Sequence, residues 1–232
     1  MDIRNLTSKE LAKYIQFTKT AQSITRNEMI KHFEQCADFG FNAAMVPMYY
    51  ISLGKKILER TGVKVATFIG FGTGHETIRA KILLMQECID LGADEVDYQP
   101  NMSAFLSGEY NFFEEETQSL LEVSKSIVIK PMLELGLILK LEEKIKAIKI
   151  LDLAGVKWIK NSSGAPSGGG PATVSDIRLL RENVRPECKV KASGKVNSFE
   201  KMVELFDAGA ELVGSSNGIE IVKKTMAKDL KY

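Results

Sequence analysis

Three side chains in this sequence have types and settings that suit amine chemistry: Asp97, Lys160 and Lys191. Lys160 ends a short β-type run in VKWIKNSSG, and Lys191 sits in another, VKASG. Each run passes directly into a loop of small residues. A lysine buried in a strand is costly, and two on neighbouring strands are costlier still. Retaining such a pair suggests that the electrostatics are used. An ordinary lysine has a pKa of about 10.4 and is almost wholly protonated at neutral pH. A second ammonium nearby, together with partial burial, pushes that value down and exposes the free amine. Lys160 is read as the nucleophile that attacks a carbonyl, and Lys191 as the charge that keeps it neutral. Asp97 can shuttle the proton as a carbinolamine forms and dehydrates. The resulting Schiff base is an electron sink that permits a carbon–carbon bond beside the original carbonyl to break or form. Taken singly, a lysine near a strand end reads as solvated or salt-bridged, and Asp97 as a loop brace. All three share one parity at three strand ends, which argues against coincidence.

Those residues need a scaffold that brings widely separated strand ends together. Short β-type runs alternate with amphipathic stretches along the whole chain. After a short leading helix, strands are expected at residues 11–18, 42–46, 63–70, 95–99, 127–133, 156–161, 188–192 and 211–214. Helices are expected at about 25–40, 50–60, 75–91, 112–124, 141–153, 173–182, 198–208 and 219–227. Thr25 and Glu28 form a capping box that opens the first of these helices. Glycine recurs before three strands, in LGAD, LAGV and DAGAE, where a helix must stop and turn. Eight strand–helix units in 232 residues indicate an α/β fold, a single (β/α)₈ TIM barrel spanning residues 1–232 as one domain. An open doubly wound sheet is the alternative, but no G-x-G-x-x-G follows the first strand. In a barrel the site lies at the C-terminal ends of the strands. Side chains alternate inward and outward, so Glu95, Asp97 and Gln99 share a side, as do Trp158, Lys160 and Ser162, and Lys189, Lys191 and Ser193. If that side is the inside, Asp97, Lys160 and Lys191 converge at the mouth and Lys189 lies toward the bottom. The opposite register would bury all three against apolar helices.

Anion binding is the second signal. Glycine-rich loops follow the sixth, seventh and eighth strands: SSGAPSGGG, SGK and GSSNG. Backbone N–H groups in such loops bind phosphate, and barrels recurrently use the last two strands for this. Lys195 adds a charge there. Each loop alone reads equally well as a turn; three at adjacent strand ends are less easily dismissed.

Composition bounds the rest. The chain is 44% hydrophobic and 26% charged with a net charge of +1, so no global attraction to nucleic acid or membrane is indicated. The first twenty residues are too polar for a signal peptide, and no apolar run approaches a membrane span. Cys36, Cys88 and Cys188 lie far apart without metal-type spacing and read as reduced thiols of a cytoplasmic protein. With His32 and His75 the only histidines, a histidine-rich metal site or a Ser-His-Asp relay has little raw material, and neither metal nor cofactor is expected.

The segments VKVATFIGF, LGADEVD, SGEY, AGVKWIKNSSG, VKASG and AGAELVGSSNG, in this order, resemble the deoxyribose-phosphate aldolases (the DeoC family) over nearly the whole chain. The family patterns are close to VKVATVIGFP, GADEID, FVKTSTG, VKASGG and GTSSG. The resemblance implies a class I aldolase with Lys160 as the Schiff-base lysine, Lys191 as the pKa-lowering lysine and Asp97 as the proton relay. It also places Gly164, Gly194, Ser216 and Asn217 where the family holds the substrate phosphate. The implied reaction is reversible cleavage of 2-deoxyribose 5-phosphate to glyceraldehyde 3-phosphate and acetaldehyde, so the partner is a small phosphorylated sugar. The alternative is a related lyase or transferase acting on a different phosphosugar. A third reading, a non-catalytic sugar-phosphate binder, conflicts with the survival of all three catalytic positions. The sequence departs from the family at several places. The D-x-T motif reads Gln16-Phe17-Thr18, and C-V-N-P reads Met45-Val46-Pro47-Met48. IGFP ends in Gly72, and the second glycine of S-G-G is Lys195. The terminal Tyr232 reads as a frayed tail, or as a residue that folds back over the site as in some relatives. Barrels of this type often form a homodimer, but no interface is legible in the letters.

Overall fold

In a computed structural model that describes residues 2–225, eight strands alternate with helices along the chain. The elements are α1 (Ser8–Ala12), β1 (Ile15–Thr18), α2 (Arg26–Phe39), β2 (Ala43–Met45), α3 (Ile51–Ile57), β3 (Lys64–Ile69), α4 (Ile78–Asp90), β4 (Glu95–Tyr98), α5 (Met102–Leu106) and α6 (Tyr110–Val123). They continue with β5 (Val128–Pro131), α7 (Leu141–Leu153), β6 (Trp158–Lys160), α8 (Val174–Asn183), β7 (Lys189–Ser193), α9 (Phe199–Asp207), β8 (Leu212–Ser215) and α10 (Gly218–Val222). The strands form one sheet in the order β5-β4-β3-β2-β1-β8-β7-β6, with every ladder parallel. The ring is drawn shut by a parallel bridge between Met132 and Lys160, supported by a 2.8 Å bond from Leu133 N to the Lys160 carbonyl. The molecule is a nearly closed (β/α)₈ TIM barrel.

Local chemistry accounts for these elements. Thr25 and Glu28 form the expected capping box of α2, whose buried face carries Met29, His32, Phe33 and Cys36. Gly40 ends it in the left-handed region. Gly92, Gly155 and Gly209, which precede β4, β6 and β8, all have positive φ (92°, 96° and 111°), a turn that a β-carbon would oppose. Some boundaries differ from the sequence reading. Leu11 and Ala12 belong to α1, capped by Thr7 and Glu10, so β1 starts at Ile15. The short helix α5, N-capped by the Asn101 side chain, was not anticipated. The expected final helix stops at Val222; residues 226 and 227, and Tyr232 with its proposed return over the site, lie outside the described residues.

Strand alternation divides the side chains into two sets. One face of each strand packs against the helices: Val65, Val96, Ile129, Ile159, Val190 and Val213 are buried in the main core. The other face lines the lumen. Register links Phe68 to Asp97 and Asp97 to Lys130. It also links Lys160 to Lys191 and Gln16 to Ala43. The expected inward register is therefore the one adopted. Lys189, one layer below Lys191, is half exposed and lies over the Trp158 ring at 5.5 Å. Among the described residues no helix is long and apolar enough to cross a membrane.

Candidate active site

The three anticipated residues meet at one atom. Asp97 Oδ2 accepts hydrogen bonds from Lys160 Nζ at 2.9 Å and from Lys191 Nζ at 2.6 Å. The two amine nitrogens are thus separated by no more than the sum of those distances, on the same face of the barrel wall. Their exposures differ in a way that assigns access. The Lys160 side chain is 7% exposed, toward the mouth, whereas that of Lys191 is 1% exposed and Asp97 is sealed. A molecule entering at the strand ends reaches the Lys160 amine first. The Met132 sulfur lies 3.6 Å from that amine on its other flank.

The electrostatics follow from the company these groups keep. Burial raises the pKa of Asp97, but Lys160, Lys191 and Lys130 outweigh it and hold the carboxyl well below the usual carboxylate range. Burial pushes the Lys191 ammonium down; Asp97 pulls the other way, Lys160 and Lys130 add to burial, and the outcome is about 7. Lys191 is thus depressed through burial first and its ammonium neighbours second.

Below this layer lies a second polar network that the sequence reading did not identify. Lys130, on β5, is fully buried, forms an ion pair with Glu95 Oε2, and stands 3.8 Å from Asp97 Oδ1. Glu95 also accepts from Gln16 Nε2 at 2.7 Å and from Lys64 at 2.6 Å. The Gln16 carbonyl in turn accepts from Lys191 Nζ. A lysine in the apolar run VIKP, in register with Asp97, was the available signal for Lys130. The lumen wall on the β2–β3 side is apolar by contrast. Ala43, Met45 and Ala66 form a cluster separate from the main core, with Phe68 packed on it. Phe68 also lies against the ring of Phe71, with centroids 4.9 Å apart.

The loops after β6, β7 and β8 are joined to one another. A β-carbon on Gly164 (φ 79°) would lie 3.3 Å from the Gly194 α-carbon, so the two glycines are in backbone contact. Ser215 donates to the Val196 carbonyl and accepts from Asn217 N at 2.9 Å, tying the β8 loop to the β7 loop. Ser216 is exposed and Asn217 half-buried at the start of α10; Lys195, with a left-handed φ of 53°, projects at the rim. Glu134 was missed by the sequence reading. Its buried carboxylate accepts from Ser163 N (2.7 Å), Ser162 Oγ (3.1 Å) and Gly169 N, which pins the glycine-rich loop. That loop reaches toward the opposite side of the mouth, where Ser167 Oγ bonds the Gly72 carbonyl at 2.9 Å. Neither histidine joins these groups. His32 is buried outside the wall against the Phe17 carbonyl, and His75 contacts Ser103. Among the described residues no cluster of three or more His, Cys, Asp or Glu side chains could hold a metal ion.

Known proteins share this chain's pattern over nearly its full length. It is 34% identical over 218 residues to a deoxyribose-phosphate aldolase of Thermococcus gammatolerans, covering 92% of this chain and 96% of the relative. It is 36% identical over 217 residues to a deoxyribose-phosphate aldolase of Caldanaerobacter subterraneus subsp. tengcongensis, covering 92% and 93%. A solved structure described as an aldolase superposes with a TM-score of 0.86 at 32% identity, covering 92% of this chain and 95% of the other. The tetrameric deoxyribose phosphate aldolase of Aeropyrum pernix, at 24% identity and a TM-score of 0.85, covers 94% and 91% and attests the same fold. No family model matches the chain.

Proposed function

The chain belongs to the deoxyribose-phosphate aldolase family, and from that premise we propose that Lys160 is the amine that carries substrate through the reaction. The protein is a lyase that reversibly cleaves 2-deoxyribose 5-phosphate to glyceraldehyde 3-phosphate and acetaldehyde. The single observation that supports the assignment of roles is the shared Asp97 oxygen, with one lysine open to the mouth and one sealed behind it.

The steps use this chain's own groups. The free Lys160 amine attacks C1 of the open-chain aldehyde, and the carbinolamine loses water to give the Schiff base. Asp97 and Lys191, both within reach of the Lys160 nitrogen, move the protons that this dehydration requires. The C3 hydroxyl then gives up its proton, the C2–C3 bond breaks, and its electron pair passes into the iminium to leave an enamine. C3 departs as the aldehyde carbon of glyceraldehyde 3-phosphate. Protonation of the enamine at C2 and hydrolysis release acetaldehyde and restore the amine. Gly164 and Gly194, in backbone contact, and Ser216 and Asn217 on the adjoining loop form the proposed cradle for the 5-phosphate. Lys195 stands beside it. One barrel domain carries the whole reaction in this reading. The buried, unbridged Cys36, Cys88 and Cys188 fit a reducing, cytoplasmic setting.

A different phosphorylated sugar is the second reading, and the apolar lumen wall of Met45, Ala66 and Phe68 is what favours it, because a hydroxyl facing that wall finds no partner. Borohydride reduction in the presence of acetaldehyde tests the proposal. We expect a stable adduct on Lys160, and neither adduct nor turnover in Lys160→Ala. An adduct confined to Lys191, or turnover by Lys160→Ala, would refute the assignment. An adduct with some other carbonyl compound but not acetaldehyde would favour the second reading.

A further inference from the structure

We propose that Gln16 is the positioning residue that sets the pH at which the two amines on Asp97 release a proton, because it bridges Lys191 to Glu95 while bringing no charge of its own. The inference rests on the assignment of Lys160 as nucleophile.

The groups facing Lys191 come from every strand around it. Its own strand β7 carries no other luminal charge above Lys189. β4 supplies the carboxylates Asp97 and Glu95, β5 supplies Lys130, and β6 supplies Lys160. β8 brings no charge: Leu212, in register with Lys191, is apolar, and Gly214 is so close that a β-carbon there would lie 3.4 Å from Lys191 Cε. From β3, the half-exposed Lys64 pairs with Glu95 and adds to the positive side. The remaining neighbour is Gln16 on β1. The buried inventory is thus three ammonium groups against two carboxylates, with one cation in excess. An excess charge sealed from water is the condition under which a lysine sheds its proton near neutrality.

Gln16 keeps that excess in place by the way it bonds. Its carbonyl accepts from Lys191 Nζ, and its amide donates to Glu95 Oε2 at 2.7 Å. Both ends of the side chain are used, and both the lysine and the carboxylate are held in position. An acidic residue would bind the lysine equally well but would have no hydrogen to give Glu95. It would set a second carboxylate against the first and cancel the cationic excess. The departure from the D-x-T pattern at this position thus removes one anion from the barrel centre and supplies the amide hydrogen that reaches Glu95.

The test is the pH dependence of turnover and of borohydride trapping at Lys160 in the wild type, Gln16→Glu and Gln16→Met. With Gln16→Glu the acid limb of both profiles should move upward by about one pH unit or more, a roughly tenfold loss of free amine at a fixed pH below the limb. With Gln16→Met the ammonium loses an acceptor, and the limb should move to lower pH. Shifts in these opposite directions support the proposal. If Gln16→Glu does not fold, the Met variant decides by itself: its limb must fall. Reduced thermal stability in either variant with an unmoved limb would mean that Gln16 is a structural bridge, and would overturn the proposal while leaving Lys160 as nucleophile. Absence of any adduct on wild-type Lys160 would overturn the underlying assignment, and the proposal with it.

Discussion

Replacing Lys191 by Met should flatten the pH dependence of folding stability in a defined window. In the unfolded chain Lys191 keeps its proton up to the ordinary lysine value of 10.5, whereas in the folded protein burial and the neighbouring ammonium groups bring it down to about 7. Between those values the unfolded state binds one proton more, so stability rises with pH. Below about 7 both states are protonated, and the cost of the buried ammonium is fully present. The slope for one proton is about 1.4 kcal/mol per pH unit. From pH 7.5 to 9.5 Lys191 should therefore add about 3 kcal/mol to wild-type stability, a gain that Lys191→Met cannot show. Asp97 stays ionised throughout that interval and contributes no slope. Urea unfolding of both proteins at half-unit intervals measures the effect, and the difference between the two curves cancels groups common to both. A difference that climbs by about 3 kcal/mol confirms the reasoning. Parallel curves would refute it, since Lys191 would then hold its proton as firmly in the barrel as in the unfolded chain.

Two further substitutions probe the parts that hold the site. In Glu134→Gln the side-chain amide meets the N–H groups of Ser163 and Gly169 with less acceptor capacity and no charge. We expect KM for the phosphorylated sugar to rise by about tenfold, with a smaller change for unphosphorylated 2-deoxyribose; equal changes for the two would count against a link between Glu134 and the phosphate loop. In Lys81→Met the buried pair with Glu116 is broken and the bonds from Lys81 Nζ to the Gly74 and Gln99 carbonyls (2.7 and 2.8 Å) are lost. A loss of about 3–5 kcal/mol by urea unfolding is expected, much of it recovered when Glu116→Leu is added; a single-variant loss below about 1 kcal/mol would show that the pair bears little of the β4 end.

Much of the barrel and its candidate site follows from local sequence rules. The capping box at Thr25, the glycines before β4, β6 and β8, and the period-two placement of Asp97, Lys160 and Lys191 are all properties of short segments. They fix where helices start, where they stop and which strand face is polar, because each depends on neighbours a few residues away. Boundaries were less legible. Leu11 and Ala12 suit either a strand or a first helical turn, and the capping bonds at Thr7 and Glu10 decided it.

What only the tertiary structure decided is which charges share a space. Lys130 reads as one more residue of an apolar strand until register sets it opposite Asp97. Glu134 is a lone acid after a strand until a loop about thirty residues on folds back to give it three donors. Burial brings the Lys191 ammonium down to about 7, because desolvation depends on depth below the mouth, and depth is set by the stagger of all eight strands together. Segment-by-segment reading names the amines; the closed ring determines how many cations and anions are shut in with them.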